Sequence, residues 1–469
     1  MTDASSPTES HRHLAALADS VTAGMPASIA DLSSLVRIPS VSWDGFDPAH
    51  VQASAEAVKA LMEGLEVFDS VEIARAPIEG ERLGQPAVLA RREARNGRPT
   101  ILLYAHHDVQ PPGKDDDWES SPFEPTVRGD RLYARGAADD KAGVMAHVAA
   151  IRSFVEVAGR DFDLGLVAFI EGEEEFGSRS FANFITKYRD TLAADVIVVA
   201  DSDNWDVETP SLTVGLRGNV TFKLTISTLA HASHSGMFGG AVPDAMLAAA
   251  KLISSFHDAD GAVAVEGLTT REAEVPTEYD EAKLVEEAGL LEGVTPIARG
   301  DVLSRMWNQP SITVTGIDAP TVQNASNTLI PSVTIKVSAR VAPGQRSEDA
   351  LAALQKHIRA NAPFGAHVDF DDVDGGEPFL VDTSGWAVEA AESAMHQAWD
   401  AAPRRTGVGG SIPFVADLVE VFPEAQILIT GVEDPDSRAH SPNESLHLGV
   451  FRRAILTEAV LLASLDDRA

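Results

Sequence analysis

DLGLVAFIEGEEEFGS, residues 163–178, joins an apolar run to a cluster of glutamates. The run from Leu164 to Ile170 is short, nearly continuous and bounded by polar residues, which predicts a buried strand. The glutamates then fall at its carboxyl end, where ligand sites of α/β sheets form. Four of the five residues from Glu171 to Glu175 are acidic. Clustered carboxylates repel each other and are costly to bury unless a cation faces them. The stretch therefore asks what positive charge meets it.

The same pattern recurs on both sides. "TILLYAHHD" (100–108) reads as a strand and "DDKAGVMAHVAAIRSFVEVAG" as a helix. "SRSFANFITKYRDTL" reads as a helix, and "ADVIVVAD" (194–201) as a strand. Such alternation predicts an α/β domain with a mainly parallel sheet. After "GLRGN" (215–219) the period changes. "NVTFKLTIST" alternates as a half-buried strand, a helix follows from about Pro243 to Phe256, and "SITVTGI", "SVTIKVSARV", "SEDALAALQKHIRANA" and "HVDFDDV" read as strand, strand, helix, strand. The order βαββαβ predicts a ferredoxin-like α+β domain inserted into the first. From about Gly385 the α/β alternation resumes, with helix 385–400, the loop "GVGGSIP", strand 425–430 and a last helix from about 444. The expected division is 1–214 with 385–469, and 215–384. Residues 1 to about 10 read as disordered. The acidic stretch 258–308 is too long for a plain loop and has no assigned role.

Composition narrows the function. The 469 residues exceed what one core supports. There are 71 acidic and 37 basic side chains, a formal net charge of −34, which argues against nucleic acid and anionic membrane as partners. There is no cysteine, so a metal would be held by His, Asp and Glu alone. Neither an apolar leader nor a run long enough to span a bilayer is present, and the expected location is the cytoplasm.

Acidic residues and histidines gather at the predicted strand ends: "HHD" (106–108), "ADD" (138–140), "EGEEE" (171–175), Asp201, and "AHSPNE" (439–444) after "ILITG". In a parallel sheet these ends share one edge. Strand parity puts His106 and Asp108 on one face and His107 on the other. A carboxylate behind a metal-bound histidine fixes its tautomer, which suits Asp108 behind His106.

"HHDVQP", "LYARGAADDKAG", "EGEEEFGS", "ADSDNW", "HSGMFGG", "GGSIP" and "AHSPNE" together resemble, in order, the M20 metallopeptidases, most nearly the cytosolic non-specific dipeptidase and carnosinase-like branch. The resemblance spans about residues 100–445. It implies two divalent metal ions, zinc or manganese. His106, Asp139 and Asp201 would hold one, and Asp139, Glu175 and His440 the other. Glu174 would be the general base and Asp108 the support of His106. It also implies that the inserted domain is a lid and dimerisation domain. There His234 would stabilise the oxyanion in the neighbouring subunit's site, and Thr328, Arg340 and Ser411 would hold the substrate carboxylate. The protein is then expected to be a homodimeric dipeptidase acting on small peptides. The alternatives are an N-acyl amino-acid deacylase or desuccinylase, and a non-catalytic binding protein on the same fold. A complete ligand set disfavours the last.

Parity and resemblance conflict at one place. An extended chain would put Glu173 and Glu175 on one face, whereas the resemblance needs the adjacent pair Glu174 and Glu175, and so a turn beginning near Gly172. Glu171 and Glu173 stay unassigned. Asp203 rivals Asp201, which ends the apolar strand directly, and Asp140 reads equally as an early-helix carboxylate. Ala105, Ala137, Ala138 and Val408 depart from the family pattern, and Val408 leaves substrate preference open.

Overall fold

The structure is a computed structural model and describes residues 7–273, 275, 278–409 and 413–468. Residues 1–6, within the stretch read as disordered, lie outside these; a helix, Pro7–Val36, begins directly after them. The described chain divides into two compact units, one of residues up to 214 with 381–406 and 417–469, the other of residues 215–380 with 407–416.

The larger unit is built on a mixed sheet whose strands lie in the order Ser70–Ala74, Ala87–Arg92, Gly165–Glu171, Thr100–His106, Val196–Ala200, Gln426–Thr430, Ser211–Leu216. The four strands from Gly165–Glu171 to Gln426–Thr430 are parallel. Those flanking them are antiparallel. The central strands Gly165–Glu171, Thr100–His106 and Val196–Ala200 are buried at every position. Their apolar runs therefore lack the two-residue alternation of one-sided strands. The helix Lys141–Ala158 is buried through most of its length and packs against the helices Pro7–Val36 and Leu448–Asp466. This is the predicted mainly parallel architecture, with an antiparallel margin on each side. The margin strands Ser70–Ala74 and Ala87–Arg92 are short and carry no strong periodic signal.

The smaller unit has a four-stranded antiparallel sheet in the order Ser311–Asp318, Ser332–Val341, Gly218–Ser227, His367–Gly376. With the helices Ala245–Ser254 and Ser347–Asn361 it forms the predicted βαββαβ unit. One residue in two of Gly218–Ser227 and Ser332–Val341 points inward, and Val220, Phe222, Leu224 and Ile226 meet Val333, Ile335, Val337 and Ala339 in one core. Within 258–308 the chain forms the helices Glu281–Glu287 and Val302–Trp307. Arg299 clasps its two ends by pairing with Asp258 at 2.7 Å and Asp260 at 2.6 Å.

Candidate metal centre

Three neighbouring parallel strands of the larger unit end in acid or imidazole groups. His106 is the last residue of Thr100–His106, Asp201 directly follows Val196–Ala200, and the glutamates follow Gly165–Glu171. The strand ends at Glu171, and Glu174–Phe176 is a single 3₁₀ turn. The chain therefore turns where a role for the adjacent pair Glu174 and Glu175 requires it to. The turn is fixed by Asp108, whose two carboxylate oxygens accept the backbone N–H groups of Glu174 and Glu175, each at 3.1 Å. Ser42 Oγ donates to the same carboxylate at 2.7 Å. Asp108 Oδ1 also lies 3.4 Å from His106 Nδ1, so one buried carboxylate orders both the histidine and the glutamate turn.

The unassigned glutamates have structural work. Glu171 accepts from Tyr104 Oη at 2.7 Å. Glu173 accepts from Ser180 N at 3.0 Å and pairs with Arg179 at 3.2 Å. His107 turns the other way, as parity predicts, with Nε2 2.9 Å from the carbonyl of Pro86. Burial lowers its pKa to about 4, so this imidazole is neutral. Asp203 sits beside Glu433 rather than among the histidines. Asp140 caps the helix Lys141–Ala158 by accepting from Gly143 N at 3.1 Å, and its other oxygen accepts from His106 N at 3.0 Å. The Asp139–Asp140 peptide is cis.

Two triads result. In each, one ligand atom per residue lies within 4.8 Å of the others: His106, Asp139 and Asp201 in one, Asp139, Glu175 and His440 in the other. Asp139 serves both through different oxygens, Oδ1 at 3.1 Å from His106 Nε2 and Oδ2 at 3.0 Å from His440 Nε2. Glu175 Oε2 is 3.1 Å from His440 Nε2. Glu174 Oε2 stands 3.9 Å from His106 Nε2 and belongs to neither triad.

The chemistry of these donors fits divalent cations. His106 Nδ1 is 3.1 Å from the carbonyl of Asp108, a partner that can only accept, so a neutral ring carries its proton there and its lone pair on Nε2. That buried Nε2 has no hydrogen-bond partner, yet it faces Asp139, Asp201 and Glu174 within 3.9 Å. A lone pair turned toward three carboxylates is repulsive unless a cation lies between them; without a metal ion a proton takes that place, because burial opposes charge on the ring but Asp108, Asp139 and Asp201 raise it well above the usual imidazole range. Protonating the two histidines would match only half of the four carboxylates Asp139, Glu174, Glu175 and Asp201, whereas two doubly charged ions match them all.

The electrostatics tell the same story. Burial, then the charges of Asp201 and Glu175, raise Glu174 well above the usual carboxylate range against the pull of His106. Burial and Asp139 push Glu175 up to about 7. Hydrogen bonds donated to Asp139 and Glu175 raise His440 to about 10. Burial opposes ionisation of Asp139, but His106 and His440 outweigh it and hold its carboxyl low.

Two further residues hold ligands in place. Gln110 donates its backbone N–H to Glu175 Oε1 at 3.0 Å and its side-chain amide to Oε2 at 2.7 Å. Glu444, fully buried, accepts from Arg135 at 2.6 Å and from the backbone N–H groups of Gly136, Ala138 and Asp139 at 2.9–3.1 Å. It thereby ties the loop bearing His440 to the turn bearing Asp139. Both stand inside the sequence motifs "HHDVQP" and "AHSPNE". Only the knowledge that these motifs converge reveals their partners.

The remaining candidates lie in the smaller unit. His234 and Thr328 are register partners in the short ladder Ser233–His234/Thr328–Leu329. His234 is exposed, and its Nδ1 accepts from Gly236 N at 3.0 Å. Arg340 lies opposite Asn219 and Ser311 across the four-stranded sheet. Ser411 lies outside the described residues.

A largely buried cluster of this kind at the carboxyl edge of a parallel sheet has the donors to hold metal ions, and comparison with known proteins gives the family. The model of peptidase family M20/M25/M40 matches residues 102–464. The chain is 33% identical over 419 residues to a cysteinylglycine-S-conjugate dipeptidase of Corynebacterium striatum, covering 88% of this chain and 91% of that one. It is 27% identical over 442 residues to a Cys-Gly metallodipeptidase of Schizosaccharomyces pombe, covering 90% and 92%. Its fold superposes on the dipeptidase Dug1p of Saccharomyces cerevisiae with a TM-score of 0.77, at 23% identity, over 97% of this chain and 99% of that one. The chain belongs to peptidase family M20/M25/M40. Among the described residues no helix is long and apolar enough to cross a membrane.

Proposed function

We propose that the protein is a two-metal dipeptidase, and the observation that carries this is the shared carboxylate Asp139 between two histidine-containing triads. His106, Asp139 and Asp201 would hold one ion, and Asp139, Glu175 and His440 the other, with zinc or manganese suiting this nitrogen and oxygen donor set. When bound, such ions lower the pKa of water and polarise a carbonyl.

Glu174 stands 3.9 Å from His106 while belonging to neither triad, a position that suits a general base. Its carboxylate takes a proton from the attacking water as the water oxygen bonds to the scissile carbon. The carbon–nitrogen bond then breaks, and Glu174 returns the proton to the leaving amine. Asp108 keeps this turn in register with His106. In the smaller unit, the Arg340 guanidinium supplies a fork suited to the substrate's terminal carboxylate, and we assign Thr328 and Ser411 to the same role. His234, exposed and paired to Thr328, donates to the developing oxyanion.

We assign residues 215–384 as the lid and dimerisation domain and the protein as a cytoplasmic homodimer in which His234 serves the neighbouring subunit. A His234→Ala chain and a Glu174→Gln chain, each inactive alone, are expected to regain activity in a mixed dimer. Verified heterodimers without recovery would place every site within one chain.

The relatives' names favour dipeptide over N-acyl substrates. Purified protein loaded with zinc or manganese is expected to release free amino acids from unblocked dipeptides, Cys-Gly among them, much faster than from N-acetyl or N-succinyl amino acids. Preference for the blocked compounds would make the protein a deacylase with the same ligands.

A further inference from the structure

The smaller unit contains a cavity of about 450 Å³, within the range of small-molecule sites. Its walls come largely from the stretch 258–308. Apolar side chains predominate, among them Leu284, Leu290, Ile297, Val302, Met306 and Ile312. The walls are braced from several directions. Arg299 joins Asp258 and Asp260, Arg305 donates to the carbonyl of Ile297 at 2.9 Å, and Gln309 donates to the carbonyl of Arg299 at 2.9 Å. Gly261, at φ +81°, packs so closely that a Cβ there would meet Ile297 at 2.8 Å. This is a constructed hollow, and it gives the long acidic insertion a purpose.

The charged groups lining it are basic: Arg217 and Arg305, with the imidazole of His257. Arg305 is already neutralised by Glu281 at 2.7 Å. Arg217 is not. Its Nε donates to the carbonyl of Gly409 at 3.1 Å and its Nη1 makes long contacts of 3.4 Å to Gln309 and Ser311, all neutral partners. No carboxylate among the described residues pairs with it. In a chain with 71 acidic and 37 basic side chains, a half-buried guanidinium without an acid points to an anion from outside. The predominance of apolar wall disfavours a strongly hydrated anion such as phosphate.

We infer that this cavity binds a small amphipathic carboxylate, its apolar part against Leu284, Leu290 and Ile297 and its carboxylate on Arg217. Arg340, proposed above for the substrate carboxylate, does not line the cavity, although it neighbours Arg217 through Ser311; the inference rests on the cavity's own lining and not on which amide the enzyme cleaves.

Hexanoate is the probe, titrated into the metal-loaded full chain by calorimetry and ligand-observed NMR, with hexanol, hexylamine and inorganic phosphate alongside. The expected result is saturable binding of hexanoate at one site per chain, with hexanol, hexylamine and phosphate each binding at least about tenfold more weakly, the equivalent of one good charged contact. Leu290→Trp, which fills the hollow, and Arg217→Met, which removes the charge, are each expected to weaken hexanoate by about tenfold or more. Leu290→Trp alone decides the matter if Arg217→Met does not fold. Absence of saturable binding, equal binding of hexanol or phosphate, or undiminished binding to a folded Leu290→Trp chain would overturn the inference.

Discussion

Glu174→Gln retains two metal ions per chain and loses dipeptide turnover by about two to four orders of magnitude, the range for a missing general base. The amide has the volume of the carboxylate but cannot accept and return a proton. Metal should stay because Glu174 is outside both triads, and the turn should stay because it is held through the backbone N–H groups of Glu174 and Glu175 on Asp108. The two readouts are kcat for an unblocked dipeptide and metal content by elemental analysis. Near wild-type turnover would remove Glu174 from the chemistry, while loss of metal would make it a ligand.

Asp139→Asn is expected to lower metal stoichiometry below two and abolish turnover together, because the two oxygens of Asp139 face different histidines. An amide leaves one oxygen for two ions and places N–H donors where a lone pair is needed. The fold should persist, since the Asp139 backbone N–H still reaches Glu444 at 3.1 Å. The sensitive readout is the rise in melting temperature on adding metal, which mass action makes a measure of affinity. Wild type should show a clear rise and Asp139→Asn little or none. An unchanged rise with two bound ions would show that Asp139 does not bridge.

Much of this was readable from residue patterns. Uninterrupted apolar runs such as "LGLVAFI" and "VIVVA" identified buried parallel strands, and their ends located the acids and histidines. Alternation in "NVTFKLTIST" and "SVTIKVSARV" gave the smaller unit's sheet, because one face of each strand is packed and the other is not. Parity assigned His106 and His107 to opposite faces but misplaced Glu174, since period-two reasoning ends where the strand ends, at Glu171. The partners of Glu444 and Gln110 were hidden for another reason. Their bonds join segments about three hundred and sixty-five residues apart, and no local period encodes such a meeting. The cavity beneath 258–308 was equally invisible, because irregular chain packs by specific contacts rather than by repeat.

The central claim is that two ions held by one shared aspartate carry the hydrolysis of dipeptides. The most direct test is to strip the protein with a chelator, verify that it is metal-free, and titrate zinc or manganese back while following binding by calorimetry and release of free amino acid from an unblocked dipeptide. The account predicts no turnover without metal, two ions bound per chain at saturation, and full activity only with both. Full turnover in the verified metal-free protein, or saturation at a single ion, would contradict it.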